Sequence, residues 1–216
     1  MASERAMRLR PVGAVLHSAV LYDVMVWLAL RGRERQLRQW LLALARLRPG
    51  EAVLDVACGT GTLAILAKST VGGSGIVCGV DASPEMLVRA RSKAARAYVE
   101  VRFENAAVQA LPFADASFDL ALGTMMLHHL GRSARRELAA ELRRVVKPGG
   151  RALLVDFARP EAKRRGLAAH FRHRHGHVDL PEIVGLLEGA GFQAIESGLV
   201  GIKNLHFALA TSPHRP

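Results

Sequence analysis

Val53-Leu54-Asp55-Val56-Ala57-Cys58-Gly59-Thr60-Gly61-Thr62-Leu63-Ala64 is an apolar run that breaks into a Gly-x-Gly turn and then resumes at helical spacing. Five residues, Ala52–Val56, are too few for a helix and read as a buried strand. The glycines let the backbone bend tightly and approach a ligand without a Cβ in the way, and Gly61–Ser69 reads as the helix that follows. Outward from this unit the pattern repeats. Ile76–Asp81 is a second strand. Ser83-Pro84-Glu85 opens a helix with Ser83 as N-cap and proline in its first turn. Val99–Glu104, Phe118–Gly123 and Arg151–Phe157 read as further strands. The amphipathic helix Arg132–Val146 is stopped by Lys147-Pro148-Gly149-Gly150, and Pro181–Ala190 is a helix with Gly191 as its terminator. Alternating strands and helices predict one doubly wound α/β domain around a mostly parallel sheet. Gln193–Val200 and Leu205–Thr211 have no helix between them, so they can pair only as a hairpin and one edge of the sheet is expected to be antiparallel. Residues 1–48 are expected to form an N-terminal helical cap and 49–216 the α/β domain, together one compact unit.

The 216-residue chain suits a single core, and half of it is apolar, which excludes a disordered protein. Cys58 and Cys78 are the only cysteines. They make no disulfide framework and no zinc-binding spacing, so no metal is expected and a reducing cytoplasm is the simplest setting. Pro11–Leu30 is nearly apolar but interrupted by His17, Ser18, Tyr22 and Asp23. A membrane-spanning helix would bury Asp23 in hydrocarbon, and a small-residue cleavage site for a leader is lacking, so the segment reads as amphipathic helices lying on the domain. The net charge of +11 favours anionic partners and leaves contact with a membrane surface open, so the protein is expected in the cytoplasm or at the membrane's edge. Aromatic residues make up only 5% of the chain, too few for the stacking platforms that hold single-stranded nucleic acid, so nucleic acid is not an expected partner. The sequence does not give the oligomeric state.

Two carboxylates stand at strand ends. Asp81 follows Gly61 by 20 residues and should accept both ribose hydroxyls of a nucleoside. Gly59-Thr60-Gly61-Thr62-Leu63-Ala64 also fits the dinucleotide fingerprint G-x-G-x-x-G/A, which keeps an NAD(P)-binding oxidoreductase as an alternative. Asp55 is the discriminating residue. A buried carboxylate beside the loop repels a pyrophosphate and suits a ligand that carries an ammonium and a sulfonium. The bland roles for these acids are loop bracing for Asp55 and helix capping for Asp81.

The run Leu54 to Gly61 resembles the first motif of class I S-adenosylmethionine (SAM)-dependent methyltransferases, and Gly79-Val80-Asp81-Ala82-Ser83-Pro84-Glu85-Met86-Leu87 is similar to their second. Ala110-Leu111-Pro112-Phe113-Ala114-Asp115-Ala116-Ser117-Phe118-Asp119-Leu120 resembles their third and fourth, and Val146-Lys147-Pro148-Gly149-Gly150-Arg151 the turn before their fifth strand. Within the family the chain looks most like the group that includes ubiquinone/menaquinone-biosynthesis C-methyltransferases. The resemblance covers about residues 50–157 and implies a seven-stranded sheet of order 3-2-1-4-5-7-6. It implies SAM as cofactor, with Ala57, Cys58, Gly59, Thr60 and Gly61 around its methionine end, Asp55 orienting the amino group through the loop or a water, and Asp81 on the ribose. Ala82 and Met86 would line the adenine, Thr124 would offer its backbone near the methionine, and Tyr22 would reach the carboxylate. Relatives commonly read Gly-Asp-Ala-Glu where this chain has Ala106-Ala107-Val108-Gln109. The acid that would bond the adenine amino group is thus replaced, leaving backbone groups of Ala107 and Val108, or Asn105 or Gln109, for that task.

Methyl transfer is a displacement at a sulfonium, in which the protein positions the acceptor and, where needed, removes a proton. His128 and His129 follow the fourth strand and are candidate bases; the alternative is that His128 closes the site sterically and His129 packs beneath the next helix. The run His170-Phe171-Arg172-His173-Arg174-His175-Gly176-His177 reads as a basic flap or exposed surface. A short apolar cap suits a small, hydrophobic or quinone-like acceptor. A SAM-binding module without catalysis, associated with nucleic acid through its basic surface, is the remaining alternative.

Overall fold

In the computed structural model the described residues are 32–158, 178–201 and 204–214. Tyr22, most of the expected cap and the His170–His177 run lie outside them. The described elements are α1 (Glu34–Leu44), β1 (Ala52–Val56), α2 (Thr62–Val71), β2 (Ile76–Asp81), α3 (Pro84–Arg96), β3 (Arg102–Asn105) and β4 (Phe118–Thr124). A 3₁₀ turn over Leu127–His129 leads to α4 (Arg132–Val145), β5 (Val146–Phe157), α5 (Leu180–Gly189), β6 (Gln193–Leu199) and β7 (Leu205–Thr211).

The strands form one seven-stranded sheet in the order β3-β2-β1-β4-β5-β7-β6. β7 is inserted antiparallel between β5 and β6, with Leu153 opposite Leu209 and Gly198 opposite Phe207. The other pairings are parallel, as expected where helices cross between strands. Alternation along each strand feeds two cores. Leu54, Val56, Ala121 and Leu154 face α4 and α5 through Leu138, Leu142, Ile183 and Leu187. Val53, Leu120, Leu122 and Leu153 face α1, α2 and α3 through Leu37, Leu41, Leu63 and Leu87. Both sheet faces are therefore covered, which is what near-continuous apolar strands require.

Two strands differ from the sequence expectation by more than one residue, both at their start. β3 begins at Arg102 rather than Val99. The Val99 N–H is spent on the Ala94 carbonyl at the end of α3, and Val99 and Val101 pack against the helical layer before pairing with β2 starts. β5 begins at Val146, because Val146 already pairs with Phe118. The register then shifts over Lys147–Gly150, so that Leu120 meets Arg151.

Ion pairs tie loops to this frame. Arg144 donates to the carbonyls of Leu111 and Phe113 (3.0 and 2.7 Å) and to Glu141, whose other contact is the Leu111 N–H at 2.7 Å. The Leu-Pro-Phe loop is thereby fixed against α4. Arg151 reaches the carbonyls of Ala45 and Arg46 and both oxygens of Glu51, fastening the end of α1 to the start of β1.

Candidate active site

β1 delivers Asp55 and the glycine loop to the carboxyl edge of the sheet, where doubly wound folds hold ligands. Ala57, Gly59 and Gly61 have φ of 55°, 54° and 75°, so the loop winds back on itself, and the Cys58 N–H reaches the Val80 carbonyl at 2.9 Å. Gly61 is the N-cap of α2 and has no side chain with which to cap it. Asp55 does this from the strand, accepting the Ala64 N–H in the first helical turn. Its Oδ2 is buried and has no hydrogen-bond partner among the described residues. The residue is 1% exposed. Burial pushes its carboxyl up to about 7 against the opposing pull of the Arg38 guanidinium, and the nearby Asp81 charge adds to the rise.

Arg38 projects from α1 into the same space. With Ala57, Cys58, Thr60 and Thr124 it surrounds a cavity of about 10 Å³ beside Asp55, room for about one water. Its guanidinium is held by Glu34 at 2.7 and 2.9 Å. Lys93 on α3 braces the loop, donating to the hydroxyls of Thr60 and Thr62 at 2.9 and 2.6 Å. Burial, then the Asp55 and Asp81 charges, hold the Cys58 thiol well above its usual range, so it is an uncharged wall.

Asp81 ends β2. Its Oδ2 accepts the Gly59 N–H at 2.8 Å and its Oδ1 the Ser83 N–H at 2.9 Å. It thus braces the glycine loop and the entry to α3 together, while Ser83 caps that helix through Met86 N–H. Burial raises the Asp81 carboxyl, opposed by the N–H groups of Ser83, Gly59 and Ala82. Beyond it, Met86, Ala107 and Val108 are buried. The Asn105 side-chain amide donates to the Asp81 carbonyl at 2.9 Å.

The chain leaves β4 at Thr124, the strand's last residue, and turns through Met125 at φ 54°, whose N–H bonds the Val155 carbonyl at 2.7 Å. His128 then lands on Asp156 near the end of β5. Its Nδ1 lies 2.7 Å from Oδ1, and its backbone N–H donates to Oδ2 at 3.1 Å. The His128 and His129 rings are 3.9 Å apart, and Phe157 meets His128 edge-on at 5.5 Å.

Comparison with known proteins decides what this loop and its carboxylates belong to. Residues 53–150 match a family model described as a methyltransferase domain. The chain is 34% identical over 159 residues to a ubiquinone/menaquinone biosynthesis C-methyltransferase of a Marinomonas species, covering 72% of this chain and 62% of that protein. It is 35% identical over 168 residues to a demethylmenaquinone methyltransferase of Thermus thermophilus, covering 78% and 74%. The chain belongs to the class I SAM-dependent methyltransferase family. A SAM-dependent methyltransferase from Aquifex aeolicus shares its fold, with a TM-score of 0.72 at 22% identity, over 91% of this chain and all of that one.

For a class I methyltransferase the geometry fits the donor. Asp55 presents a buried oxygen that no described residue bonds, and Arg38, already paired with Glu34, lines the same cavity. Gly61 and Gly79 are packed too tightly for a side chain, since a Cβ at either would stand 2.8–2.9 Å from Phe103 and its neighbours. Sequence reading named Asp55, Asp81, the loop and His128 but missed Arg38 and Asp156. Both carried a signal. Arg38 shares a helical stripe with Leu41, Leu42 and Ala45, at offsets that face inward. Asp156 ends an apolar strand just as Asp55 and Asp81 do.

Proposed function

We propose that this methyltransferase moves the methyl group of SAM to a small, hydrophobic, hydroxylated ring of the quinone type. The observation that carries the donor half is the buried, unsatisfied Asp55 oxygen behind the glycine loop and next to Arg38. SAM supplies an electrophilic methyl group on a sulfonium. Asp55 receives its ammonium through the one water that the cavity accommodates, Arg38 takes its carboxylate, and the Thr124 backbone lies alongside. Asp81 has lone pairs left for the ribose hydroxyls, and Ala82, Met86, Ala107 and Val108 flank the adenine. The acceptor half is supported by the quinone-pathway names of the relatives at 34% and 35% identity. Such acceptors dissolve in lipid, and a net charge of +11 draws the chain toward anionic membrane surfaces, so we place the work at the cytoplasmic membrane edge.

The test of the donor is a thermal shift titration: SAM raises the melting temperature and NAD does not. Stabilisation by NAD alone would return the chain to the dinucleotide reading. The test of the acceptor is S-adenosylhomocysteine release with a short-chain 1,4-naphthohydroquinone. Steeply salt-dependent RNA binding without release from any small acceptor would favour the non-catalytic module.

Asp55 also sets a pH dependence. Its folded pKa of about 7 lies above the ordinary carboxylate value, so the folded state keeps a proton that the unfolded chain has lost. That group's contribution to stability falls as pH rises from about 4 to about 7 and is level beyond. SAM binding needs the ionised form, so affinity is expected to be about fivefold weaker at pH 6 than at pH 7. It should decline again above about 8 as the ligand's own amine loses its charge. Calorimetric titration of wild type and Asp55→Asn checks this; the variant loses the acidic decline.

A further inference from the structure

We propose that His128 is the proton acceptor of the transfer and that Asp156 is the positioning residue that fixes its tautomer, an inference that rests on the acceptor proposed above. Asp156 is fully buried yet uses its carboxylate only to accept. Its described partners are the Phe157 N–H at 2.7 Å, the His128 N–H and the His128 ring. An ionised Asp156 can only accept, which places the hydrogen of the His128 ring on Nδ1. Nε2 then carries the lone pair, and no described residue bonds it. The His128 side chain is 15% exposed, so the ring is not sealed in the core. The turn that carries it is itself held, because Arg135 donates to the Leu127 carbonyl at 2.9 Å and pairs with Glu182 at 2.6 Å.

Position supports the role. Thr124 and Met125 border the cavity beside Asp55, and His128 follows three residues later on the same carboxyl edge of the sheet. A ring carbon activated by a hydroxyl forms the new C–C bond to the methyl group while the C–S electron pair stays on sulfur, leaving S-adenosylhomocysteine neutral. The methylated ring, now cationic, gives up one proton to Nε2 and returns to neutrality. The imidazolium so formed sits against the Asp156 carboxylate, then passes its proton to water. Other titratable groups face this pair: His129 at 3.9 Å between ring centres, His206 opposite Asp156 in the β5–β7 register, and the Arg135–Glu182 pair.

The tautomer is read first, by nitrogen-detected NMR of the histidine rings in the free protein, with His128→Gln assigning the signals. A His128 signal with hydrogen on Nδ1 supports the proposal, and one with hydrogen on Nε2 overturns it, whatever the acceptor proves to be. Steady-state transfer to the naphthohydroquinone follows. His128→Gln and Asp156→Asn should each lower kcat about 100-fold or more while changing KM and SAM affinity little, and the residual rate should lose its decline at acid pH. His128→Gln is the safeguard should Asp156→Asn not fold. Unchanged kcat with an unchanged pH profile in His128→Gln sinks the role. A wild type that ignores the naphthohydroquinone refutes the acceptor class instead, and the NMR result then decides for or against the His128–Asp156 arrangement.

Discussion

Replacing Asp81 by alanine should weaken SAM binding by about 100-fold or more in calorimetry, because each hydrogen bond to a charged acceptor is worth about 1.5–3 kcal/mol and the ribose offers two hydroxyls. The loss has a second source inside the protein. Asp81 also accepts the N–H groups of Gly59 and Ser83, so alanine leaves two loop donors without their acceptor and lets the glycine turn relax away from its ligand-ready shape. Asp81→Asn is the isosteric companion. It keeps the size of the side chain but turns an amide NH₂ toward one of those N–H groups, so it too should bind SAM more weakly than wild type. An affinity equal to wild type in either variant would remove Asp81 from the ribose site.

Gly61→Ala is expected to destabilise the fold by about 3 kcal/mol, from about 1–3 for overpacking and about 1 for the left-handed backbone. The new methyl would meet Ala90 Cβ and Phe103 Cζ at 2.9 Å, and φ is 75°. Ala90 and Phe103 belong to α3 and β3, so relief at one point disturbs the adenine side of the pocket. Gly50→Ala is the control. Its φ of 81° is also positive, but the added carbon would meet only Ser74 Oγ at 3.5 Å, an ordinary contact, and it should cost only about 1 kcal/mol. For a domain of this size the two variants should differ by about 4–8 °C in melting temperature. Equal melting temperatures would show that backbone strain alone governs Gly61.

The features most legible in the sequence are those that obey short-range rules. Ser83-Pro84 announces the start of α3, the motif resemblance implies the sheet order, and the missing helix between Leu199 and Leu205 forces the antiparallel insertion. What escaped depends on distant partners. The start of β3 was misplaced because the Val99 N–H is taken by Ala94 rather than by a strand, a competition that apolar patterning does not register. The early start of β5 hides behind Pro148-Gly149-Gly150, residues that stop a helix but here occupy a register shift opposite β4. In the site, Asp55 and Asp81 were readable from their place before and after a glycine loop. The pairing of His128 with Asp156 joins residues 28 apart in sequence, and only the adjacency of β4 and β5 brings them together.

The helix Glu34–Leu44 precedes the stretch matched by the family model, residues 53–150, yet it carries the guanidinium that faces Asp55. A fragment trimmed to residues 53–150 would keep Gly59, Gly61, Asp55 and Asp81 and, on the proposed donor site, would lose the group assigned to the carboxylate of SAM. It would also bare the apolar seat of Leu37, Leu41 and Leu42. On the proposed role of Arg38, donor affinity is tuned from a helix that precedes the matched domain: exchanging that leading helix should retune cofactor capture while residues 53–150 stay untouched.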